Sequence, residues 1–295
     1  MSDTAASLRH QIASATELES VVRTMKAMAA SSIGQYENAA RSLDDYYRTV
    51  QLGLNACFRQ DRLAQTPTRA VRRDNGASCA IVFGSDQGLV GQFNEVMTEY
   101  VAATLATLPG QKIIWVVGER IQSRLADSSL LPEASFGLPT SINAITPLVG
   151  QILLAMEKQR ETGEISRLYL FYNRPQSGAI YTPVHQRLLP LNDMWRHDLA
   201  GLPWPTKNLP EVVGNCEQAL LALVREYLFV SLFRACAESL ASENASRLAA
   251  MQRAEKNIGE ILDELNRNFH RLRQSGIDEE LFDVVSGFEA LNKNR

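Results

Sequence analysis

The chain has 295 residues, 45% apolar and 21% charged, with a formal charge of −3. This is ordinary globular composition with room for one large domain or two smaller ones, and it carries no overall basic field of the kind that attracts nucleic acid. The opening MSDTAASLRH lacks an apolar signal core and has an early acid at Asp3, which argues against secretion or organelle import and predicts a cytoplasmic protein.

All eleven prolines fall between Pro67 and Pro210. Proline breaks helix interiors, so the two ends are free to form long helices while the middle is punctuated. The predicted organisation is tripartite: a coiled-coil helix over 1–66, an α/β domain over 67–210 and a second coiled-coil helix over 211–295.

In the first part Leu8, Ile12, Ala15, Leu18, Val22, Met25, Ala29, Ile33 and Tyr36 recur at spacings that alternate between three and four. That rhythm is the narrow seam of a coiled coil, not the broad apolar face of a helix lying on a sheet.

The middle part alternates strands with helices. CAIVF (79–83), KIIWVV (112–117) and LYLFY (168–172) are apolar runs of strand length, and helical patterns lie at 92–108 and 147–159. Such alternation predicts a parallel, Rossmann-like sheet. The first strand is followed by GSDQGLVGQFN, with Gly84, Gly88 and Gly91. A glycine-rich strand-to-helix turn can present backbone N–H groups to a phosphate. The spacing matches neither GxGxxG nor the P-loop, however, so a tight structural turn is the better reading.

The last part opens with ALLALVREYLFVSLF (219–233), too short to span a bilayer and interrupted by Arg225 and Glu226; it reads as core. The seam then returns as Leu248, Met251, Ala254, Ile258, Ile261, Leu265, Phe269 and Leu272. Two matching seams are most simply buried against each other. Helices of about 50 and 75 residues would reach roughly 75 and 110 Å, giving a rod with a domain on its side. KAMAASSI (26–33) and ASENASRLAAM (241–251) place Ala and Ser where the most stable coiled coil would place Leu and Ile. Small side chains make a slim shaft, suited to turning inside a collar.

No catalytic set assembles. His10, His185, His197 and His270 are scattered, and there is neither HExxH nor GxSxG. Cys57, Cys79, Cys216 and Cys236 show no paired spacing and read as small buried apolar residues.

LRHQIASATELESVVRTMKAMAASSI near the start, GSDQGLVGQFN in the middle and ESLASENASRLAAMQRAEKNIGEILDELNRNFHRLRQSGIDEELFDVVSG near the end together resemble the gamma subunit of the F-type ATP synthase. The resemblance implies an α/β chain in which the terminal helices form a long antiparallel coiled coil beside a central Rossmann-like domain. It implies a rotor without cofactor or active site, turning inside three alpha and three beta subunits and working with the epsilon subunit and the membrane c-ring, at the cytoplasmic face of a bacterial inner membrane. It also assigns partner contacts. Met25 matches the methionine of the family's KAM segment, with Arg23 where lysine is usual. Arg247 matches the arginine of the LASE(N/Q)AARM block, Arg273 and Gln274 match an Arg-Gln pair facing a catalytic-subunit loop, and Glu280 matches the carboxylate beyond it. In the middle motif, usually close to SDRGLCGGLN, Gln87, Val90 and Gln92 replace arginine, cysteine and glycine, which suggests a divergent bacterial form. Two other readings stay open. A Rossmann-like enzyme using GSDQGLVG would bind NAD or ATP, and a non-rotary scaffold would homodimerise through its seams.

Overall fold

The computed structural model describes residues 4–63, 76–161, 165–176, 179–191, 195, 199, 201–208 and 210–293. Asp3, Pro67 and His197 lie outside them. In chain order the elements are α1 (Ala5–Ser42), α2 (Asp44–Leu63), β1 (Ala77–Phe83), α3 (Phe93–Thr107), β2 (Lys112–Val117), α4 (Glu119–Asp127), β3 (Ala134–Phe136), α5 (Ile142–Glu161), β4 (Ile165–Gln176), β5 (Ala179–Leu189) and α6 (Cys216–Lys293). Two compact units result, Met1–Ala29 with Leu248–Arg295, and Ala30–Arg247.

In the larger unit five strands lie in the order β3-β2-β1-β4-β5. The first four are parallel, and β5 returns antiparallel along β4. Strand side chains alternate between faces, and both faces are covered. Cys79, Ile81, Phe83, Trp115, Leu168 and Leu170 meet α5, α6 and the helices before β1 on one side. Ala80, Val82, Val116 and Phe171 meet Met97, Val101 and Leu105 of α3 and Ile121 and Leu125 of α4 on the other. The apolar run at 219–233 is core, as expected: Tyr227, Leu228, Val230 and Leu232 are buried.

Three elements differ from the sequence reading. The first helix does not run unbroken for about 50 residues but divides at Leu43, whose amide bonds to the Ala40 carbonyl three residues back. The acids Asp44 and Asp45 then open α2, where the helix dipole favours negative charge. Pro147, taken as a helix start, lies inside α5; one missing N–H is tolerated where Ile145, Leu148, Val149 and Ile152 are all buried on the sheet. Finally, β5 carries Thr182, Pro183, His185 and Gln186 among its apolar residues, so its strand pattern is diluted by polar side chains.

The smaller unit pairs the start of α1 with the later part of α6, antiparallel: the Arg9 guanidinium lies over the Phe269 ring and Lys26 reaches Glu255. Leu8, Ala29 and Met251 are buried and Ile12, Ala15, Val22, Met25, Ala254, Ile258, Leu265 and Phe269 are half-buried, as the seam predicted. Leu18 (59% exposed) and Ile261 (51%) fall outside it, as does Leu272 near the end of the pattern, while Glu19 and Leu262 are half-buried. A straight helix drifts by about 20° per heptad from a strict three-four repeat, so extending the rhythm over several turns eventually selects the wrong neighbour. Leu18 and Ile261 line a shallow apolar groove of about 370 Å³ with Ala15, Ile258 and Leu265.

Candidate functional site

Strand order reverses between β1 and β4, since the chain builds β1, β2 and β3 outward in one direction and then places β4 on the other side of β1. In open α/β sheets ligands bind outside the carboxyl ends of the strands at such a point, and the turn at 84–94 leaves β1 there. Its geometry decides between a phosphate cradle and a structural turn.

The first two backbone donors of the turn are engaged internally. Gly84 N–H bonds the Val117 carbonyl at 2.9 Å, and Ser85 N–H bonds Asn94 Oδ1 at 3.0 Å. Asn94 Nδ2 in turn donates to Ser85 Oγ at 2.8 Å. Asp86 accepts the Glu119 amide at 2.9 Å, so its carboxylate faces the amino end of α4, where it complements the dipole. A Cβ on Gly84 would stand 2.2 Å from Ile121 Cβ; glycine is required there by close packing of turn and helix. Gly118, at φ +116, is held against the Ser85 backbone in a conformation that favours glycine.

The chain's own α6 fills the crevice. Ser242 Oγ donates to the Asn173 carbonyl at 3.0 Å and Ser246 Oγ to the Val90 carbonyl at 2.5 Å. Ala237, Ser239, Ala241, Ser242 and Ser246 are all buried. Small side chains in this half of the ASENASRLAAM stretch therefore serve a different purpose from the one the sequence suggested. They let α6 approach the strand ends closely, and the Ser242 and Ser246 hydroxyls supply hydrogen bonds to the Asn173 and Val90 carbonyls. Glu243 is also buried, with Arg247 Nη2 at 2.5 Å. Burial pushes its carboxyl above the usual carboxylate range, Arg247 opposes that shift, and Asp86 adds to it. A phosphate here would meet the Asp86 and Glu243 carboxylates and the packed α6, which favours a structural turn.

The six residues assigned as partner contacts fall in separate places. Met25 is half-buried in the helix pair of the smaller unit. Arg23, next to it in that unit, forks between Glu19 at 2.6 Å and Glu255 at 3.2 Å, while Lys26 holds the other Glu255 oxygen at 2.5 Å. These cations, the hydrogen bond from Lys26 foremost, hold the Glu255 carboxyl below its usual range. Sequence spacing could not find Glu255, because it joins its partners only when the two helices lie side by side. Arg247 belongs to the larger unit, where Glu243 and Asn244 hold its guanidinium, leaving the side chain 14% exposed. Arg273, Gln274 and Glu280 are exposed on a stretch of α6 whose side chains from 273 to 286 are all exposed except half-buried Gly276. Ile277, Leu281, Phe282, Val284 and Val285 are exposed beside them, an unusual density of large apolar side chains for a surface. Among the described residues no cluster of His, Cys, Asp and Glu could hold a metal ion, and no helix is long and apolar enough to cross a membrane.

Known proteins resemble this chain along almost its whole length. The ATP synthase gamma chain of Granulibacter bethesdensis is 29% identical, over 96% of this chain and 98% of that one. The ATP synthase gamma chain of Polynucleobacter asymbioticus is 27% identical over the same shares. Among solved structures, a chain of the Euglena gracilis mitochondrial ATP synthase rotor superposes with a TM-score of 0.66 at 15% identity, covering 92% of this chain and 98% of that one. A chain of the Tetrahymena thermophila mitochondrial ATP synthase central stalk and c-ring gives 0.57 at 21% identity, covering 79% and 99%. The family model described as ATP synthase matches residues 4–291, so the chain belongs to the ATP synthase family, with gamma chains among its relatives.

Proposed function

We propose that this chain is the central-stalk rotor of an F-type ATP synthase, coupling ion flow through a membrane ring to ATP synthesis or hydrolysis on a hexamer of alpha and beta subunits. It is the non-catalytic part of that machine. The observation that carries this reading is the course of α6, one 78-residue helix. It fills the crevice where a Rossmann-like enzyme would hold its nucleotide and then continues into an exposed stretch carrying Arg273, Gln274, Glu280 and five large apolar side chains.

In this reading catalysis belongs to the beta subunits. A turning shaft with different side chains on its different faces favours one conformation of each beta subunit at each angle, which is differential binding carried out by rigid-body rotation. Arg273 supplies a planar fork of donors able to hold a loop carboxylate or carbonyl in one orientation and release it in another. Gln274 and Glu280 extend the same polar contact, while Met25 and Arg23 supply a contact on the paired helices. Arg247, held by Glu243, is the remaining contact of the set. The epsilon subunit and the c-ring are the remaining partners, and the complex sits at the cytoplasmic face of a bacterial inner membrane.

The test is co-purification. Tagged and expressed with its alpha and beta subunits, this chain should recover a complex with one copy of itself and three of each partner, and leaving it out should abolish steady multi-site ATP hydrolysis. A chain that elutes alone and binds NAD or ATP would overturn the reading.

A further inference from the structure

Cys57 and Cys216 are 159 residues apart in sequence, yet Cys216 Sγ lies 3.7 Å from the Cys57 carbonyl oxygen, and the Cys216 thiol is close enough to raise the pKa of the Cys57 thiol. Both belong to the larger unit. Cys57 is buried in α2, and Cys216, half-buried, is the first residue of α6. The approach is held by further contacts between the same segments. Val212 N–H donates to Gln60 Oε1 at 3.1 Å, and Gly53 lies so close to Leu223 that a Cβ there would be 2.9 Å from its Cδ2. Asn215 Oδ1 accepts the Glu217 amide at 2.9 Å and fixes the first turn of α6. The two thiols therefore stand in unequal surroundings, one reachable from solvent and one enclosed. Cys79 and Cys236 are each fully buried, in β1 and in the middle of α6.

We propose that Cys57 and Cys216 form a redox pair in which the accessible Cys216 is oxidised by a hydroperoxide and the buried Cys57 resolves it, closing a disulfide that staples α2 to the start of α6. In the first step Cys216 sulfur attacks the peroxide, the O–O bond breaks, Cys216 becomes a sulfenic acid, and the departing oxygen leaves as water or an alcohol with the thiol proton. In the second step Cys57 sulfur attacks that sulfenic sulfur, the S–O bond breaks and water leaves with the Cys57 proton. Two thiols lose two electrons to one peroxide, and a dithiol reductant reverses the change. Burial, and then the Cys216 thiol beside it, push the Cys57 thiol up to about 11, which makes Cys57 a poor first target for oxidant. That assigns the order of the two steps.

The experiment exposes the full-length chain, both by itself and co-purified with its alpha and beta subunits, to hydrogen peroxide, then unfolds it, alkylates all remaining thiols and maps the peptides without reduction. The expected result is the loss of two of the four alkylatable thiols, a linked peptide pair containing Cys57 and Cys216, and a Tm that rises on oxidation and falls back after dithiothreitol. In Cys216→Ser, Cys57 should be recovered as a free thiol after the same exposure. The proposal is overturned if Cys216 ends as a sulfinic acid or in a disulfide between chains while Cys57 remains alkylatable, or if all four thiols survive. The mapping on the unsubstituted chain stands whether or not the variant folds, and its outcome is independent of any rotary function.

Discussion

Glu255 receives hydrogen bonds from Lys26 and Arg23 across the helix pair. Its carboxyl is held below the 4.5 of an unperturbed glutamate, so its stabilising contribution is complete above that value and is lost as pH falls through the depressed one. Glu255→Gln should therefore lower the Tm of the purified complex at neutral pH and flatten its acid limb. A thermal-melt series from neutral to strongly acidic pH checks this, and parallel curves for the two proteins would contradict it. Added salt should shrink the difference, because the cluster is partly exposed and therefore screened. Gly84 provides a second test at this scale. Because a Cβ there would overlap Ile121, Gly84→Ala forces the turn and α4 apart, and overpacking of this kind costs about 1–3 kcal/mol, measurable by urea unfolding. The sequence favours a tight structural turn at Gly84, but a glycine-rich turn only advertises backbone freedom, and the position of Ile121 reveals that the glycine is there for packing.

Among the elements, α6 carries most of the information. Its lack of proline declared a long helix, and its seam pattern located most of the residues that pair with α1. What the pattern could not show was the division of labour along it, since Ala and Ser at close spacing serve a slim coiled coil and a tight helix-on-sheet contact equally well. Ser246→Ala tests the second role. It leaves the Val90 carbonyl buried without its hydrogen bond, a loss of about 1–3 kcal/mol, and Ser242→Ala should do the same for the Asn173 carbonyl. Urea unfolding should show both midpoints lowered at unchanged slope, and a wild-type midpoint would remove the filled-crevice account. The three strands anticipated in the sequence were legible because they are buried on both faces and read as continuous apolar runs. β3 has only three residues and β5 is polar in part, so neither produced a comparable signal.

For the whole molecule, the proposed rotary role predicts an effect that no stability measurement would register. Arg273 and Gln274 are exposed, so replacing both by Ala should leave the Tm of the chain nearly unchanged. In the complex, the double variant should weaken the coupling of ATP hydrolysis to ion pumping or reduce the yield of assembled enzyme. Pumping assays in membrane vesicles measure this directly, and normal hydrolysis with normal pumping would exclude these two side chains from the contact.

The sequence by itself determined that the ends are helices and the middle a parallel α/β sheet, because proline exclusion and hydrophobic periodicity are local properties of the chain. It also determined the family, because the motifs near both termini and in the middle survive as strings of residues. The tertiary structure alone decided that α6 packs against the glycine turn, that Glu255 clasps α1 to α6, that Arg247 is held by a buried carboxylate and that Cys57 meets Cys216. Each of these depends on which distant segments are brought into contact. A contact across 156, 159 or 232 residues arises from packing complementary surfaces, and no spacing along the chain encodes it.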